Sequence, residues 1–280
     1  MRASSPTERG AVRRRALAGL VGAAVVAVAG ALAGCASGPS LDDARRTLAP
    51  TGVLRVAVYP GSPTSLVAEA APEQMRGMAV DLGADLARQL GVPVRYVLRP
   101  RVAEVLAALQ AGDADLTLTN ATPERAALLD FSAPLVSLEL GLLVRPGSSL
   151  ASMQAFDQAG VRIGVSQGST SQRTLSGRGV AATLVPLPSL QAAREALLAG
   201  QIDAFATNKG ILSELADRVP GARLLDGRWG LEHLALGTPK GREAAAPLLQ
   251  RFVTEAQADG RVQRAAERAG LRGLAVPGAR

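Results

Sequence analysis

Residues 120–125 combine the start of a helix with a cation. Thr122 is a favourable N-cap residue and Pro123 suits the first helical position, so we expect a helix to begin here. Arg125 then falls in the first turn, where a positive charge opposes the helix dipole at a cost of about 0.3–1 kcal/mol. Free backbone amides and a guanidinium at one place favour an anion site. The alternative is a structural ion pair between Arg125 and a nearby carboxylate.

A second polar loop, residues 164–170, reads Gly-Val-Ser-Gln-Gly-Ser-Thr and joins a predicted strand to a predicted helix. The hydroxyls and amides of Ser169 and Thr170 would receive a carboxylate at such a helix start. Gly168 belongs to the same turn and is included in the predicted binding site. The alternative is that Ser169 only caps the helix and binds no ligand.

The same loop also matches the Gly-x-Ser-x-Gly pattern of a nucleophile elbow, which makes a serine hydrolase the rival hypothesis. Ser166 would be the nucleophile and His233 the base, with Asp203, Asp217 or Asp226 as the third member. Against this, the motif is short and no His-Gly-Gly-Gly type of oxyanion loop precedes it.

The composition excludes several classes of function. Of 280 residues, one is Cys and one is His, too few for a zinc site built from these residues, and we expect no cofactor. Aromatic residues make up 2%, so a stacking platform for single-stranded nucleic acid is not available. Most of the net charge of +7 comes from arginines that precede Cys35. The arginines after Cys35 are interspersed with Asp and Glu. We therefore expect no nucleic-acid partner.

The first 35 residues have the order of a secretory signal. Three arginines at 13–15 are followed by an uncharged apolar run, residues 16–33, and by Leu-Ala-Gly-Cys at 32–35. The last four residues resemble the bacterial lipobox, which implies lipid on Cys35 and anchoring in a membrane. This predicts a signal peptide over 1–34 and a tether over 35–50. An uncleaved membrane helix is the alternative.

Strand and helix patterns alternate along the rest of the chain, which predicts an α/β fold with parallel sheets covered on both faces. The pattern restarts near residue 161, which favours two domains. Both runs contain a helix, a Gly and then an acid before a strand, at Asp115 and at Asp203. The predicted strands are 53–58, 92–98, 115–119, 136–144, 161–165, 183–186, 202–206 and 234–236, and the predicted helices are 78–90, 102–111, 169–176, 189–199, 209–217, 245–258 and 261–269, with a short helix from Pro123.

In this order, the motifs resemble those of the family 3 extracellular solute-binding proteins, the polar amino-acid receptors of ABC importers. The segments that carry the resemblance are 52–56, 77–82, 109–115, 122–125, 131–134, 161–169 and 199–204. It implies a type II periplasmic-binding fold, with two doubly wound lobes joined by a two-crossing hinge. Lobe 1 would comprise 51–139 and 235–273, lobe 2 would comprise 140–234, and 274–280 would be a tail. Residues 137–142 and 232–236 would form the hinge.

The resemblance also assigns roles to individual residues. Arg125 would clamp a ligand carboxylate, Asn120 would hydrogen-bond the ligand, and residues 169 and 170 would hold the carboxylate from lobe 2. Asp81 and Asp203 would be structural. The predicted ligand-binding set is Arg125, Asn120, Ser169, Thr170, Asn208, Gly168 and Ser62.

Two departures from the family pattern bear on the ligand. The acid that receives the ligand ammonium is replaced here by Asn208, which forfeits a charge-assisted hydrogen bond of roughly 1.5–3 kcal/mol. The first loop, residues 59–64, lacks the usual aromatic roof, and Tyr59 is not expected to replace it. Both departures favour a carboxylate without a free amine, or a modified amino acid.

The expected function is therefore a monomeric, non-catalytic receptor, lipid-anchored in the periplasm or at the cell exterior. Its expected partners are a small carboxylate, an ABC permease and the ATPase of that permease. Besides the hydrolase, a dehydratase of prephenate-like substrates on the same fold stays open. It needs an acid in the cleft, for which Glu139 at the hinge is the candidate. A sensory input module is a further alternative.

Overall fold

The computed structural model describes residues 40–67, 71 and 74–275. The predicted signal peptide and Cys35 lie outside the described residues, as do positions 276–280. Within the described ranges, no helix is long and apolar enough to cross a membrane.

The first part of the chain confirms the predicted alternation of strand and helix. Helix α2 ends at Gly91, which adopts the left-handed conformation (φ 66°, ψ 36°) expected of a glycine at this position. Strand β1 pairs with β2 in parallel, and Val56 bridges to Leu116. The elements are α1 (Leu41–Leu48), β1 (Leu54–Val58), α2 (Met78–Leu90), β2 (Val94–Leu98), α3 (Val102–Gln110), β3 (Thr117–Asn120), α4 (Pro123–Ala126) and β4 (Leu129–Phe131).

The second part of the chain repeats the alternation of strand and helix, and its last strand and helices then pack against the first part of the chain. Ser169 and Ser189 cap α5 and α6 through their side-chain oxygens, so these helices begin one residue later than predicted. The elements are β5 (Val136–Val144), a 3₁₀ turn (Met153–Phe156), β6 (Arg162–Ser166), α5 (Thr170–Gly177), β7 (Thr183–Leu187), α6 (Leu190–Leu198), β8 (Ala204–Asn208), α7 (Lys209–Arg218), β9 (Arg223–Leu224), β10 (Gly230–Pro239), a 3₁₀ turn (Glu243–Ala245), α8 (Ala246–Ala258) and α9 (Arg261–Arg268).

The larger sheet is mixed, whereas the alternation of strand and helix predicted parallel sheets. Its strand order is β3-β10-β5-β8-β6-β7, with β4 and β9 paired at the side. Strand β6 runs parallel to β7 and β8, but β5 runs antiparallel to β8 and β10. The long strands β5 and β10 pair with each other from Leu140↔Gly230 to Val136↔Leu234, so the two predicted crossings lie side by side. Beyond this point β10 continues as the antiparallel partner of β3.

Buried apolar side chains divide on either side of these crossings. One cluster joins α1, β1, α2 and the C-terminal helices, and Leu54, Leu86 and Phe252 are among its fully buried members. Further clusters join β6, α6, β8 and α7, around Ile163 and Phe205. This packing agrees with the two predicted lobes, whose boundaries stay a prediction.

Two segments that were expected to be extended are part of the folded structure. Residues 41–48 form α1 and not a tether, because Ser40 and Asp43 make a capping box and Ala44 and Leu48 are buried in the core. The predicted tail also begins too early. Leu274 bridges to Leu138, and the amide of residue 275 donates to the carbonyl of residue 137 at 2.9 Å.

The acid that precedes a strand in each half of the chain performs the same structural task. Asp115 accepts hydrogen bonds from the amide, Nε and Nη2 of Arg55 at 2.8–2.9 Å. Asp203 accepts from the same three groups of Arg162 at 2.9–3.1 Å, and these bonds hold the pKa of Asp203 at about 2. The predicted structural role of Asp203 is thus confirmed, and the sequence echo is a repeated acid–arginine clamp. Asp81, also expected to be structural, accepts from Arg268 Nε at 3.0 Å.

Replacement of Asp115 by Asn tests this clamp. The Asp115 side chain is 0% exposed and pairs with both Arg55 and Arg242, so its removal leaves two largely buried cations uncompensated. We expect Asp115→Asn to lower the free energy of unfolding by about 3–5 kcal/mol, measured by urea denaturation. Asp113→Asn is the control, since that side chain is 62% exposed and its loss should cost under about 1 kcal/mol. Equal effects of the two substitutions would show that the clamp contributes nothing special.

Candidate functional site

A cavity lies where β1, β3, β6 and β8 end, beside the crossing strand β10. About 560 Å³ of space free of protein atoms lies between its walls, and part of this space is open to solvent. Both predicted lobes contribute to its wall. The lining residues are Tyr59, Thr64, Pro100, Arg101, Val102, Leu118, Thr119, Asn120, Arg125, Ser166, Ser169, Thr170, Leu190, Thr207, Asn208, Ile211, Glu232 and Leu234.

Arg125 supplies a buried positive charge to this cavity. Thr122 caps α4 as predicted, and its side-chain oxygen accepts from the amide of residue 125 at 3.3 Å. Nη1 of the guanidinium donates to Thr119 Oγ1 at 2.7 Å and to the carbonyl oxygen of Asn120 at 3.3 Å. Nε is buried without a partner. Burial lowers the pKa of Arg125 to about 10, opposed by the charge of Glu232, so the group is positive at neutral pH.

The pairing alternative for Arg125 is therefore wrong. The residue is 4% exposed, yet its guanidinium makes no ion pair within the described part of the chain. A buried charge without a carboxylate partner is costly unless another group provides one. The arrangement suits an incoming anion.

Ser169 and Thr170, at the N-terminus of α5, line the same cavity as Arg125. Ser169 Oγ accepts from the amide of Gln172 at 3.1 Å, so the capping alternative is confirmed for its side chain while the residue still lines the cavity. Thr170 Oγ1 is buried and has no hydrogen-bond partner. Three described residues that line the cavity thus carry an unsatisfied buried donor, namely Nε of Arg101, Nε of Arg125 and the hydroxyl of Thr170. A carboxylate is an acceptor suited to such donors.

Glu232 is a cavity residue that the sequence did not reveal. It lies on β10 and is 8% exposed, and Asn208 Nδ2 donates to its Oε2 at 2.9 Å. Burial raises the pKa of Glu232 above its ordinary value, opposed by the bond from Asn208 and by the charge of Arg125. Asn208 also caps α7, because its Oδ1 accepts from the amide of Ile211 at 3.0 Å. No signal in the sequence indicated this, because the apolar residue 231 is 39% exposed while Glu232 is buried. In the sheet, Glu232 pairs with the buried Leu138 of β5.

Tyr59 lines the cavity directly after β1. The expectation that it does not replace the family's aromatic roof stays a prediction. Burial raises the pKa of its phenol, and hydrogen bonding from Ser62 and Thr64 acts in the opposite direction. The Tyr59 amide donates to Ser65 Oγ at 2.8 Å, which fixes the loop that follows the strand.

Three predicted ligand residues have other tasks. Ser62 is 0% exposed, bonds to Thr64 Oγ1 at 2.9 Å and does not line the cavity, whereas Thr64 does. Gly168 does not line it either; a Cβ there would lie 2.6 Å from the Cβ of Ala103, so its small size allows the two sides of the cavity to meet. Asn120 lines the cavity, but its Oδ1 accepts from the amide of residue 233 at 2.9 Å.

Neither enzyme hypothesis finds all of its predicted residues in the cavity, which Ser166 lines but His233 and Glu139 do not. His233 lies on the exposed face of β10, where its Nδ1 bonds to Ser137 Oγ at 2.7 Å, while Ser166 lines the cavity on the other side. Neighbouring residues of a strand face opposite ways, and Glu232 of β10 faces the cavity. His233 therefore faces away from the cavity, and the Ser166–His233 pair is not formed. Glu139 is held outside the cavity by Lys209 Nζ at 2.6 Å and by Arg228, and these partners lower its pKa. Among the described residues no group of three or more His, Cys, Asp or Glu is placed to hold a metal ion.

A family model described as bacterial extracellular solute-binding proteins, family 3, matches residues 54–270. A curated relative, the glutamine-binding protein of an ABC transporter from Bacillus subtilis (strain 168), is 28% identical over 155 residues. The matched stretch covers 55% of this chain and only 56% of that relative.

Solved structures share the fold. An ancestral amino acid-binding protein, described as a precursor of cyclohexadienyl dehydratase, superposes with a TM-score of 0.70 at 24% identity, covering 81% of this chain and 97% of the other. An amino acid ABC transporter substrate-binding protein from Streptococcus pneumoniae, bound to L-arginine, gives a TM-score of 0.71 at 22% identity, covering 82% and 99%. The type II periplasmic-binding fold is therefore confirmed.

The unsatisfied hydroxyl of Thr170 gives a direct test of the cavity. Thr170→Val keeps the side-chain shape and removes a donor that has no partner in the free protein, so stability should change little. Affinity for a carboxylate that accepts from this hydroxyl should fall roughly 3–10-fold, measured by calorimetry. Thr238→Val is the matched control, because Thr238 Oγ1 is equally buried and unpartnered but lies outside the cavity. The same loss of affinity in both variants would contradict the assignment.

Proposed function

The chain belongs to family 3 of the bacterial extracellular solute-binding proteins, and from this premise we propose that it delivers a small carboxylate-bearing solute to an ABC importer. The solute class is an amino acid or a related organic anion, and the protein itself catalyses no reaction. The observation that carries the proposal is Arg125, a 4% exposed guanidinium that faces a cavity and makes no ion pair with the described residues. The glutamine-binding relative supports an amino-acid-like solute.

In this proposal, residues 51–139 with 235–273 form one lobe, residues 140–234 form the other, and the lobes close around the ligand. The adjacent strands β5 and β10 supply the two crossings about which the lobes rotate. Contacts across the mouth of the cavity support a closed state. Arg101 Nη1, at the start of α3, donates to the carbonyl of Pro188 at 3.2 Å. The permease, with its ATPase, would recognise this closed form.

The thermal stability of the fragment from residue 36 onward tests the proposal. The panel comprises L-amino acids, beginning with glutamine and arginine, their N-acylated and 2-hydroxy acid counterparts, and small dicarboxylates. A compound present at 100 times its Kd should stabilise the parent protein by roughly 2.7 kcal/mol, which is visible as a rise in Tm. Arg125→Ala should abolish this rise, because the carboxylate loses its charged partner.

The outcomes of this screen separate the candidate functions. A compound that raises the Tm of the parent and of Arg125→Ala equally would disprove the anion clamp. Glu232 is a buried acid that lines the cavity, as the dehydratase hypothesis requires. Turnover of a prephenate-like substrate by the purified parent would replace the receptor proposal by this second function.

We also propose that Cys35 carries the lipid that anchors the protein, as a monomer, to a bacterial membrane at the periplasmic or outer face. Support comes from the lipobox-like sequence at 32–35 and from the extracellular location of the family. Expressed from the full-length gene, the parent should fractionate with membranes, and Cys35→Ser should lose incorporation of labelled fatty acid. Ala36→Ser, which leaves the cysteine in place, is the control. Equal labelling of the Cys35→Ser variant would contradict the lipid assignment.

A further inference from the structure

The cavity contains a second charge, the carboxylate of Glu232, and this charge is as incompletely paired as that of Arg125. Asn208 Nδ2 occupies Oε2 at 2.9 Å, while Oε1 accepts no hydrogen bond from the described residues. No ion pair joins Glu232 to Arg125, although each charge stabilises the other across the cavity. The side chain is 8% exposed, so little water is available to solvate it.

The hydrogen-bonding capacity of Asn208 shows that it positions Glu232. Its Oδ1 is used by the cap of α7, and its Nδ2 donates to Glu232. With these two bonds made, the Asn208 side chain keeps one free N–H. The second lone pair of its Oδ1 is the one acceptor position that it could offer to an ammonium group. The ionised carboxylate beside it is the stronger acceptor.

We propose that Glu232, held in place by Asn208, receives the ammonium group of the ligand, so that the cavity selects zwitterionic α-amino acids over amine-free carboxylates. The inference rests on the proposed receptor function and names its substrate class. A zwitterion has one positive and one negative group, and Arg125 and Glu232 offer the complementary pair in one cavity. It replaces the expectation, drawn from Asn208 and the missing aromatic roof, that the ligand is a carboxylate without a free amine or a modified amino acid.

The test compares the parent with Glu232→Gln, which keeps the shape of the side chain and removes its charge. The probes are the L-amino acids of the screen, each beside its 2-hydroxy acid counterpart, measured by calorimetry at pH 7.5. We expect Glu232→Gln to weaken binding of the amino acid roughly 10–100-fold, since a charge-assisted hydrogen bond is lost. Binding of the 2-hydroxy acid should stay the same or improve, because its hydroxyl can donate to the amide oxygen of Gln.

Glu139→Gln is the matched control. Glu139 pairs in register with Leu231 on the neighbouring strand, so it is also a hinge carboxylate, but Lys209 and Arg228 hold it outside the cavity. This variant should bind the amino acid and the hydroxy acid as the parent does. An equal loss in Glu139→Gln and Glu232→Gln would mean that the effect reflects hinge charge and would overturn the inference.

The pH dependence of affinity provides an independent readout. Arg125 and Tyr59 line the same cavity as Glu232 and interact with its charge, and both types of group ordinarily titrate well above pH 7. A ligand ammonium favours the ionised carboxylate, so amino-acid affinity should be full above the raised pKa of Glu232 and should fall as the pH drops below it. In Glu232→Gln this dependence should disappear.

Two failures can be told apart. If only amine-free acids bind the parent, or if Glu232→Gln leaves both affinities unchanged while Arg125→Ala abolishes them, the ammonium assignment is wrong and the receptor function stands. If no compound of the panel binds the parent, the proposed function fails, and the assignment of Glu232 fails with it.

Discussion

A guanidinium at 4% exposure must find its solvation in the protein or in a ligand, and the geometry of the cavity follows from how Arg125 meets this need. Thr119 and the carbonyl of Asn120 take one of its nitrogens, and Nε is left without a partner. The positive charge of Arg125 is therefore only partly compensated in the free protein. A bound anion completes the compensation, and this interaction contributes to the affinity.

The structural charges are treated differently. Asp115 is bonded by the backbone and side chain of Arg55 and by Arg242, and Asp203 repeats the pattern with Arg162. These clamps tie the start of each first strand to the segment before a neighbouring strand, so the strand ends that carry the cavity residues have a fixed position. Charges that build the fold are thus paired within it, while Arg125 and Glu232 face the cavity without an ion pair of their own.

Caps, turns and strand spans depend on residues close in sequence and are predicted from it. The face of a strand that points into the cavity depends on pairing with a distant strand and is not predicted. The cap at Thr122, the glycine after α2 and the span of β5 follow from short-range chemistry, and each is observed as predicted. Helix α1 was missed because its capping box stands in a segment assigned to a tether. Glu232 could not be placed from its own neighbours. Which face of β10 points into the cavity is set by pairing with β5, about 90 residues earlier in the chain.

Asn208 and Glu232 make physical sense only as a pair. Two carboxylates at hydrogen-bonding distance in a site of low exposure would compete, and one of them would stay protonated. An amide at position 208 removes that competition, because it donates to Glu232 and stabilises the ionised form against the opposing effect of burial. Asn208 replaces the family's acid, and its amide is what allows a different acid, Glu232 on β10, to be ionised in the same cavity.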